Sequence, residues 1–370
     1  MELLESAIKA KVFPGAVALV AQEGKVVFFE HVGHRSLVPE RVPMARDTIF
    51  DLASLTKVFA TTPAIMRLVD EEKLNLDQSL AEVLPKEALG DKRDLTLRLL
   101  LTHSAGLLDW KPFYEKLRDH PLQDRKRLLR EWIIEEPFAY EPAKGNLYSD
   151  LGFMLLEWVI EEKAEENLSE FVEKHFYGPL GLKRTFFRGT SEEGNPPRPP
   201  FTKGGKISAE EFAATEDCPW RMRVLQGEVH DDNAWTLGGY SGHAGLFSTA
   251  EEIYVMANML REHYSGKRND FFKPETVREF FRRHEIVKGS DWALGWDTRV
   301  LEGSSAGKYF SRDSVGHTGF TGTSIWMDLK KDVIAILLTN RVHPKRDNDK
   351  IKQFRPLFHD SIMEELGLVS

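Results

Sequence analysis

Cysteine is almost missing: Cys218 is the one thiol in 370 residues, so no disulfide can close within the chain. Nothing therefore demands an oxidising compartment. The "EDCPW" setting of Cys218 offers no basic neighbour or histidine partner to activate it, and it reads as a structural thiol. Glutamine is scarce too, five residues against a surplus of Lys, Arg and Glu, a balance that leans toward a thermophile. No apolar run approaches the ~20 residues of a membrane span. The N-terminal "MELLESAIKAKVFPG" alternates charge with hydrophobe, unlike a signal peptide. A cytoplasmic protein without a membrane partner is expected. Positive charge is also in deficit: the formal net charge is −8, which argues against a nucleic-acid surface.

What remains is a globular composition, 41% hydrophobic and 29% charged, with length enough for a sizeable core. Residues 2–11 suit a short amphipathic helix ended by Pro14 and Gly15. "AVALVAQ" and "VVFFEHV", split by Glu23-Gly24-Lys25, read as a hairpin of buried strands. Apolar positions from Val58 to Val69 recur at helical spacing. Pro63 should kink that helix or open a second one capped by Thr62. Helices are expected at about 95–103, 124–136, 151–164 and 168–177, and a Pro/Gly-rich loop at 190–205. "GLFSTAEEIYVMANMLR" places Ser248 and Glu251 in capping-box spacing. "SIWMDLKKDVIAILLTN" reads as a hairpin turning at Lys330 and Lys331, and 350–366 as a closing helix. The pattern implies one α/β (α+β) domain over 1–370. Its sheet region is about 1–60 and 246–370, and a helical region is inserted at about 61–245.

Three stretches carry chemistry. In "FDLASLTKVF" Ser54 and Lys57 lie three apart at a helix start, so both can share one face. The apolar neighbours Leu52, Leu55 and Val58 would desolvate the lysine and lower its pKa, fitting it to take a proton from the serine. The helix N-terminus would favour a developing oxyanion. The same spacing at Ser305 and Lys308 falls in a Gly/Ser turn, "EGSSAGKYF", without helical pattern. That turn also fails as a phosphate loop, one residue short between its glycines and with Tyr309 after the lysine. In "GNLYSDLGFMLLEWVIEE" Ser149 or Asp150 caps a helix, which leaves Tyr148 ahead of the cap and free to enter a cleft. Beside a lysine its pKa should fall, making it a general base. "VGHTGFTGTSIWMD" is a strand interrupted by Gly316, Gly319 and Gly322, the mark of close approach to the backbone by a ligand. "GEVHDDNAW" offers His230, Asp231 and Asp232, but neighbours on an extended stretch point apart, so one metal ion cannot easily collect all three. His103 and His243 sit in Gly/Ser-bearing turns and read as hydrogen-bonded structural histidines.

In order and separation, Ser54-Leu-Thr-Lys57, Tyr148-Ser149-Asp150 and His317-Thr318-Gly319 resemble the motifs of the serine β-lactamase and penicillin-binding protein superfamily. The phrases "LTLRLLLTHSAGL", "YGPLGLKRTFF" and "GHAGLFSTAEEI" resemble its class C β-lactamase-like branch, which includes DD-peptidases and family VIII esterases. The resemblance covers about residues 14–345. It implies a β-lactamase/transpeptidase-like fold: an antiparallel sheet from both chain ends, flanked by helices.

It also implies a serine hydrolase acting through an acyl-enzyme on a small ester, amide or β-lactam, with no cofactor or metal. Ser54, Lys57, Tyr148 and His317 would be catalytic. The backbone N–H groups of Ser54 and Phe320 would form the oxyanion hole, and Asp150, Thr318 and Gly319 would meet substrate. Two departures stand out. Asp150 replaces the branch's usual asparagine, and His317 replaces the lysine of most β-lactamases, removing a fixed cation unless Arg341 supplies one. Both favour small esters over β-lactams or D-Ala-D-Ala peptides, the alternatives being a β-lactamase, a carboxypeptidase or an acylated sensor that does not turn over. Oligomeric state is left open.

Overall fold

In the strand Gly15–Gln22 every residue but the last is buried, and Val333–Thr339 is buried throughout. Two such strands, apolar on both faces, must lie at the centre of a sheet covered on both sides. The computed structural model, which describes residues 1–189, 201–202 and 205–369, pairs them antiparallel, Ala16 opposite Thr339 and Gln22 opposite Val333. The whole sheet has seven antiparallel strands. Its order is Asp297–Thr298, Ser314–Thr318, Ser324–Asp328, Val333–Thr339, Gly15–Gln22, Lys25–Ser36 and Val42–Pro43. Both chain ends thus build one sheet.

Alternation along the central strand assigns its faces. Ala16, Ala18 and Val20 pack with Leu4, Phe13, Phe354 and Phe358, beneath the terminal helices Glu2–Lys9 and Ile351–Glu365. Val17, Leu19 and Ala21 face the other way, into the large core shared with the helix Ala250–Tyr264 and the middle of the chain. The expected helices there are Leu97–Leu101, Leu122–Glu135, Asp150–Ala164 and Leu168–Val172. Of the loop 190–205, residues 190–200 and 203–204 lie outside the described residues, while Phe201–Thr202 pairs with Gly205–Lys206 as a short hairpin. Among the described residues no helix is long and apolar enough to cross a membrane. Cys218 is buried and free.

Three local expectations need correction. An α-helix does begin with Pro63 in its first turn, but Thr62 does not cap it. A π-turn, Lys57–Thr61, runs directly into the α-helix Thr62–Asp70, and Thr62 donates its backbone N–H to Lys57 O instead of capping. Pro63 has no N–H for the Phe59 carbonyl four residues back, and the buried Tyr177 hydroxyl donates to that carbonyl at 3.0 Å. Second, Thr249, not Ser248, caps Ala250–Tyr264, accepting from the Glu252 N–H. Ser248 is the last residue of the strand Leu246–Ser248. Third, Gly316 and Gly319 are small because protein, not ligand, is close. A Cβ would stand 2.3 Å from the Trp326 ring at Gly316 and 2.5 Å from Leu52 O at Gly319.

The Tyr177 bond is testable. Tyr177→Phe should destabilise the protein by about 1–3 kcal/mol, the range for a buried acceptor left without its donor. Denaturant and thermal melts would measure it, and an unchanged midpoint would show that the Phe59 carbonyl needs no partner.

Candidate active site

Ser54 is placed by a clamp on the residues before it. Ala53 has a positive φ of 48°, a costly conformation for a residue with a Cβ. Asp51 holds it there: one carboxylate oxygen accepts from the Ala53 N–H at 2.8 Å and the other from the His230 N–H at 2.6 Å. Thr321 and Thr323 donate their hydroxyls to the carbonyls of Asp51 and Leu52, tying this turn to the Gly316–Gly322 region. Ser54 thus lies at the floor of a cavity of about 600 Å³, whose walls include Trp110, Tyr148, Trp292, His317, Phe320 and Arg341.

Lys57 is fully buried beneath it. Its ammonium donates to Ser54 Oγ at 3.1 Å, Asp150 Oδ1 at 2.6 Å and the His243 carbonyl at 3.1 Å. All three hydrogens of an ammonium are thereby used. Burial acts to lower its pKa, as the sequence suggested, but the Asp150 carboxylate and then Tyr148 outweigh it and raise the value above that of a free lysine. The resting lysine is a cation, not a free base. Tyr148 departs from expectation as well: burial pushes its phenol up, and Lys57 and Ser54 pull it back only in part.

Ser149, not Asp150, is the cap of Asp150–Ala164, accepting from the Gly152 N–H. That leaves the Asp150 carboxylate free to reach Lys57, so Asp150 is a partner of the lysine before it is a substrate contact. Its role could not be seen from "YSD", because its partner is 93 residues away.

His317 is buried among these groups. Burial and then Lys57 push its pKa down to about 3, and its Nδ1–H donates to the Thr318 carbonyl at 3.0 Å. His103 is neutral for the same two reasons and accepts the Ser149 N–H at 3.0 Å. Thr318, Gly319 and Phe320 follow along the wall. Among the described residues, the backbone N–H groups of Ser54 and Phe320 donate to no protein acceptor.

The His230-Asp231-Asp232 run diverges, as adjacent extended residues do. His230 stacks on Phe320 and pairs with Glu216, Asp231 takes His243 Nε2 at 3.0 Å, and Asp232 takes Arg221 and Arg346. The grouping that sequence spacing did not reveal is Asp150, Asp231 and His243, whose ligand-type atoms lie within 4.8 Å of one another. As they stand, Asp150 is paired with Lys57 and Asp231 with His243, so the cluster's charges are already matched.

Arg341, the candidate substitute cation, stacks on Phe320 and donates to the carbonyls of Phe320, Arg346 and Asn348. Arg355 donates to Gly319 and Thr323 carbonyls, with its pKa pushed down to about 9 by burial and then Arg341. Ser305 accepts from the Trp326 indole, outside the cavity, and a further Ser-x-x-Lys, Ser6 to Lys9, lies on the exposed face of the first helix.

A family model described as Beta-lactamase matches residues 2–357. The N-acetylmuramyl-L-alanine amidase of Bacillus subtilis (strain 168) is 31% identical over 359 residues, covering 90% of this chain and 78% of that protein. Among solved structures, EstCE1, a hydrolase with promiscuous acyltransferase activity, superposes with a TM-score of 0.70 at 22% identity, covering 96% and 97% of the two chains. The octameric penicillin-binding protein homologue from Pyrococcus abyssi gives 0.72 at 20% identity, covering 99% of this chain and 76% of that one.

The shift on His317 has a measurable sign. Its folded value of about 3 lies below the unfolded ~6.5. Between the two the unfolded chain binds a proton that the folded chain does not, so this group withdraws stability as pH falls through that window. In NMR spectra of histidine-labelled protein, the His317 imidazole should stay neutral across about pH 5–8. A midpoint inside that range would refute the desolvated setting.

Proposed function

The chain belongs to the beta-lactamase family, and from that premise we propose that it is a serine hydrolase that works through an acyl-enzyme on Ser54 and prefers small esters. The observation that carries the reading is Ser54 Oγ, at a cavity floor, 3.1 Å from the buried Lys57 ammonium. The oxygen attacks the carbonyl carbon of the acyl donor. Lys57 conducts its proton away, with the Tyr148 ring packed beside the ammonium. The unpartnered N–H groups of Ser54 and Phe320 suit the oxyanion, since fixed donors stabilise charge as it develops without reorganising. The leaving alkoxide departs protonated, and water releases the acyl group by the reverse proton route.

The ester preference rests on charge. β-Lactams and D-Ala-D-Ala peptides present a carboxylate. Here Asp150 stands beside Ser54, His317 is neutral, and Arg341 and Arg355 are already committed to backbone carbonyls. Asp297, pushed up to about 8 by burial and the neighbouring Asp291, adds no positive charge either. An ester needs no anionic anchor, and an alkoxide leaves more readily than an amine. The likeness to an amidase at 31% identity favours a second reading, cleavage of an amide in a muramyl peptide.

A serine-directed fluorophosphonate should label Ser54 alone. Peptide mapping that placed the adduct on Ser305, or found none, would overturn the nucleophile. Turnover after labelling-competent acylation also separates an enzyme from a sensor, which would stop at a stoichiometric burst. For substrate class, kcat/KM at neutral pH should rank a p-nitrophenyl ester above a chromogenic cephalosporin, a D-Ala-D-Ala peptide and an N-acetylmuramyl-L-alanine amide. Any of these exceeding the ester would sink the ester preference and leave the serine mechanism standing.

A further inference from the structure

The resting site has a proton problem. Lys57 is an ammonium with every hydrogen engaged, so it cannot take the Ser54 proton as it stands. Tyr148 holds its own proton, because burial raises its pKa. His317 Nε2 is vacant, but it is buried without a hydrogen-bond partner and so is joined to neither Ser54 nor Lys57. One vacant acceptor is joined to Ser54 by unbroken hydrogen bonds: Ser54 Oγ to Lys57 Nζ, 3.1 Å, and Lys57 Nζ to Asp150 Oδ1, 2.6 Å.

We propose that Asp150 receives the proton displaced from Ser54 during acylation, with Lys57 as the relay. The inference rests on Ser54 being the nucleophile. As the Ser54 oxygen bonds to the acyl carbon, Lys57 passes one N–H proton to Asp150, the amine so formed turns its lone pair to Ser54, and the hydroxyl proton moves onto the nitrogen. The tetrahedral adduct then expels the alkoxide as the carbon–oxygen bond breaks. The proton on Asp150 returns through Lys57 to that alkoxide, and the ammonium–carboxylate pair is restored. The proton lost by Ser54 is balanced by the one that leaves on the alcohol, and none is exchanged with solvent. The aspartate that replaces the branch's asparagine is thereby a working part of the mechanism, where an amide would offer Lys57 no anion to protonate.

The groups around this chain are Tyr148 from the same approach to the helix, His103 packed on the Tyr148 ring, His317 on the cavity wall, and Asp231 with His243 beside Asp150. His103 and His317 stay neutral and Tyr148 stays protonated near pH 7. Burial works to raise the Asp231 carboxyl, but His243 and the Ala234 N–H hold it below the usual range, so it is ionised. At His243 burial lowers the value and Asp231 more than restores it, so its charge is the one the test has to control for.

The test is the pH profile of kcat/KM for a p-nitrophenyl ester in wild type, D150N, D150E and H243Q, with folding followed by thermal melts. In D150N the lysine loses its counter-ion and must shed a proton to the solvent before it can accept one. The acid limb should therefore move up by at least about one unit, with at least a tenfold loss near pH 6 that recovers above about pH 9. D150E should return the limb toward wild type, and H243Q should leave it in place. A D150N profile parallel to wild type, or a limb that moves in H243Q and not in D150N, would overturn the role of Asp150. If D150N does not fold, D150E must keep the wild-type limb, and its displacement overturns the proposal. Fluorophosphonate labelling of the wild type keeps the two ideas apart. No adduct on Ser54 removes the nucleophile and this inference with it, whereas an adduct with an unshifted D150N limb removes this inference alone.

Discussion

A lysine ammonium taken fully out of water costs several kcal/mol unless its hydrogens are met and its charge opposed. Lys57 is such a group, and the rest of the site is arranged around it. Asp150 opposes the charge at 2.6 Å, and Ser54 Oγ and the His243 carbonyl take the other hydrogens. The aromatic rings of Tyr148 and Phe153 flank it, 4.9 and 5.5 Å from the nitrogen to their centroids. The cation in turn sets its neighbours. After burial, its repulsion is the next cause that keeps His103 and His317 neutral. Two histidines, His317 on the cavity wall and His103 behind Tyr148, are thus held as fixed hydrogen-bonding shapes and not as titrating groups.

The frame that allows this is built from distant parts of the chain. The turn before Ser54 is fixed by Asp51, Thr321 and Thr323, and the lysine's partners come from residues 150 and 243. The sheet from the two termini supplies one wall, and the helical middle supplies the other. Gly316 and Gly319 let those parts approach, because a Cβ at either would strike Trp326 or the Leu52 backbone. Small residues here bring protein against protein, and the cavity is what remains between the walls.

That division explains what the sequence could reveal. Ser54 and Lys57 were legible because three-residue spacing on a helix is a local rule, and Tyr148 because it precedes a cap. The central strands were legible from their apolar runs. The sense of the Lys57 shift was not, since burial is suggested by Leu52, Leu55 and Val58 while the opposing charge is 93 residues away. Asp231 and His243 were read apart for the same reason. The cap at Thr249 was missed by one residue because Ser248 extends a strand that pairs with residues near 50, a tertiary fact. Thr62 was expected to cap at Pro63 but continues a π-turn into the helix, and the Phe59 carbonyl that Pro63 cannot serve is met by Tyr177 from far along the chain.

The aspartate at position 150 shows how one substitution relative to the branch's pattern reaches beyond its own contacts. An amide there could accept from Lys57 but could not oppose its charge, and a buried lysine without an anion tends toward the neutral amine. With a carboxylate the lysine stays cationic, and the pair it forms with Asp150 leaves no surplus positive charge to hold a ligand carboxylate. If Asp150 handles the proton as proposed, proton handling and substrate charge are coupled through one side chain. On the proposed reading, the same Asp150 that keeps Lys57 charged also disfavours a ligand carboxylate, and that is why we propose a neutral ester.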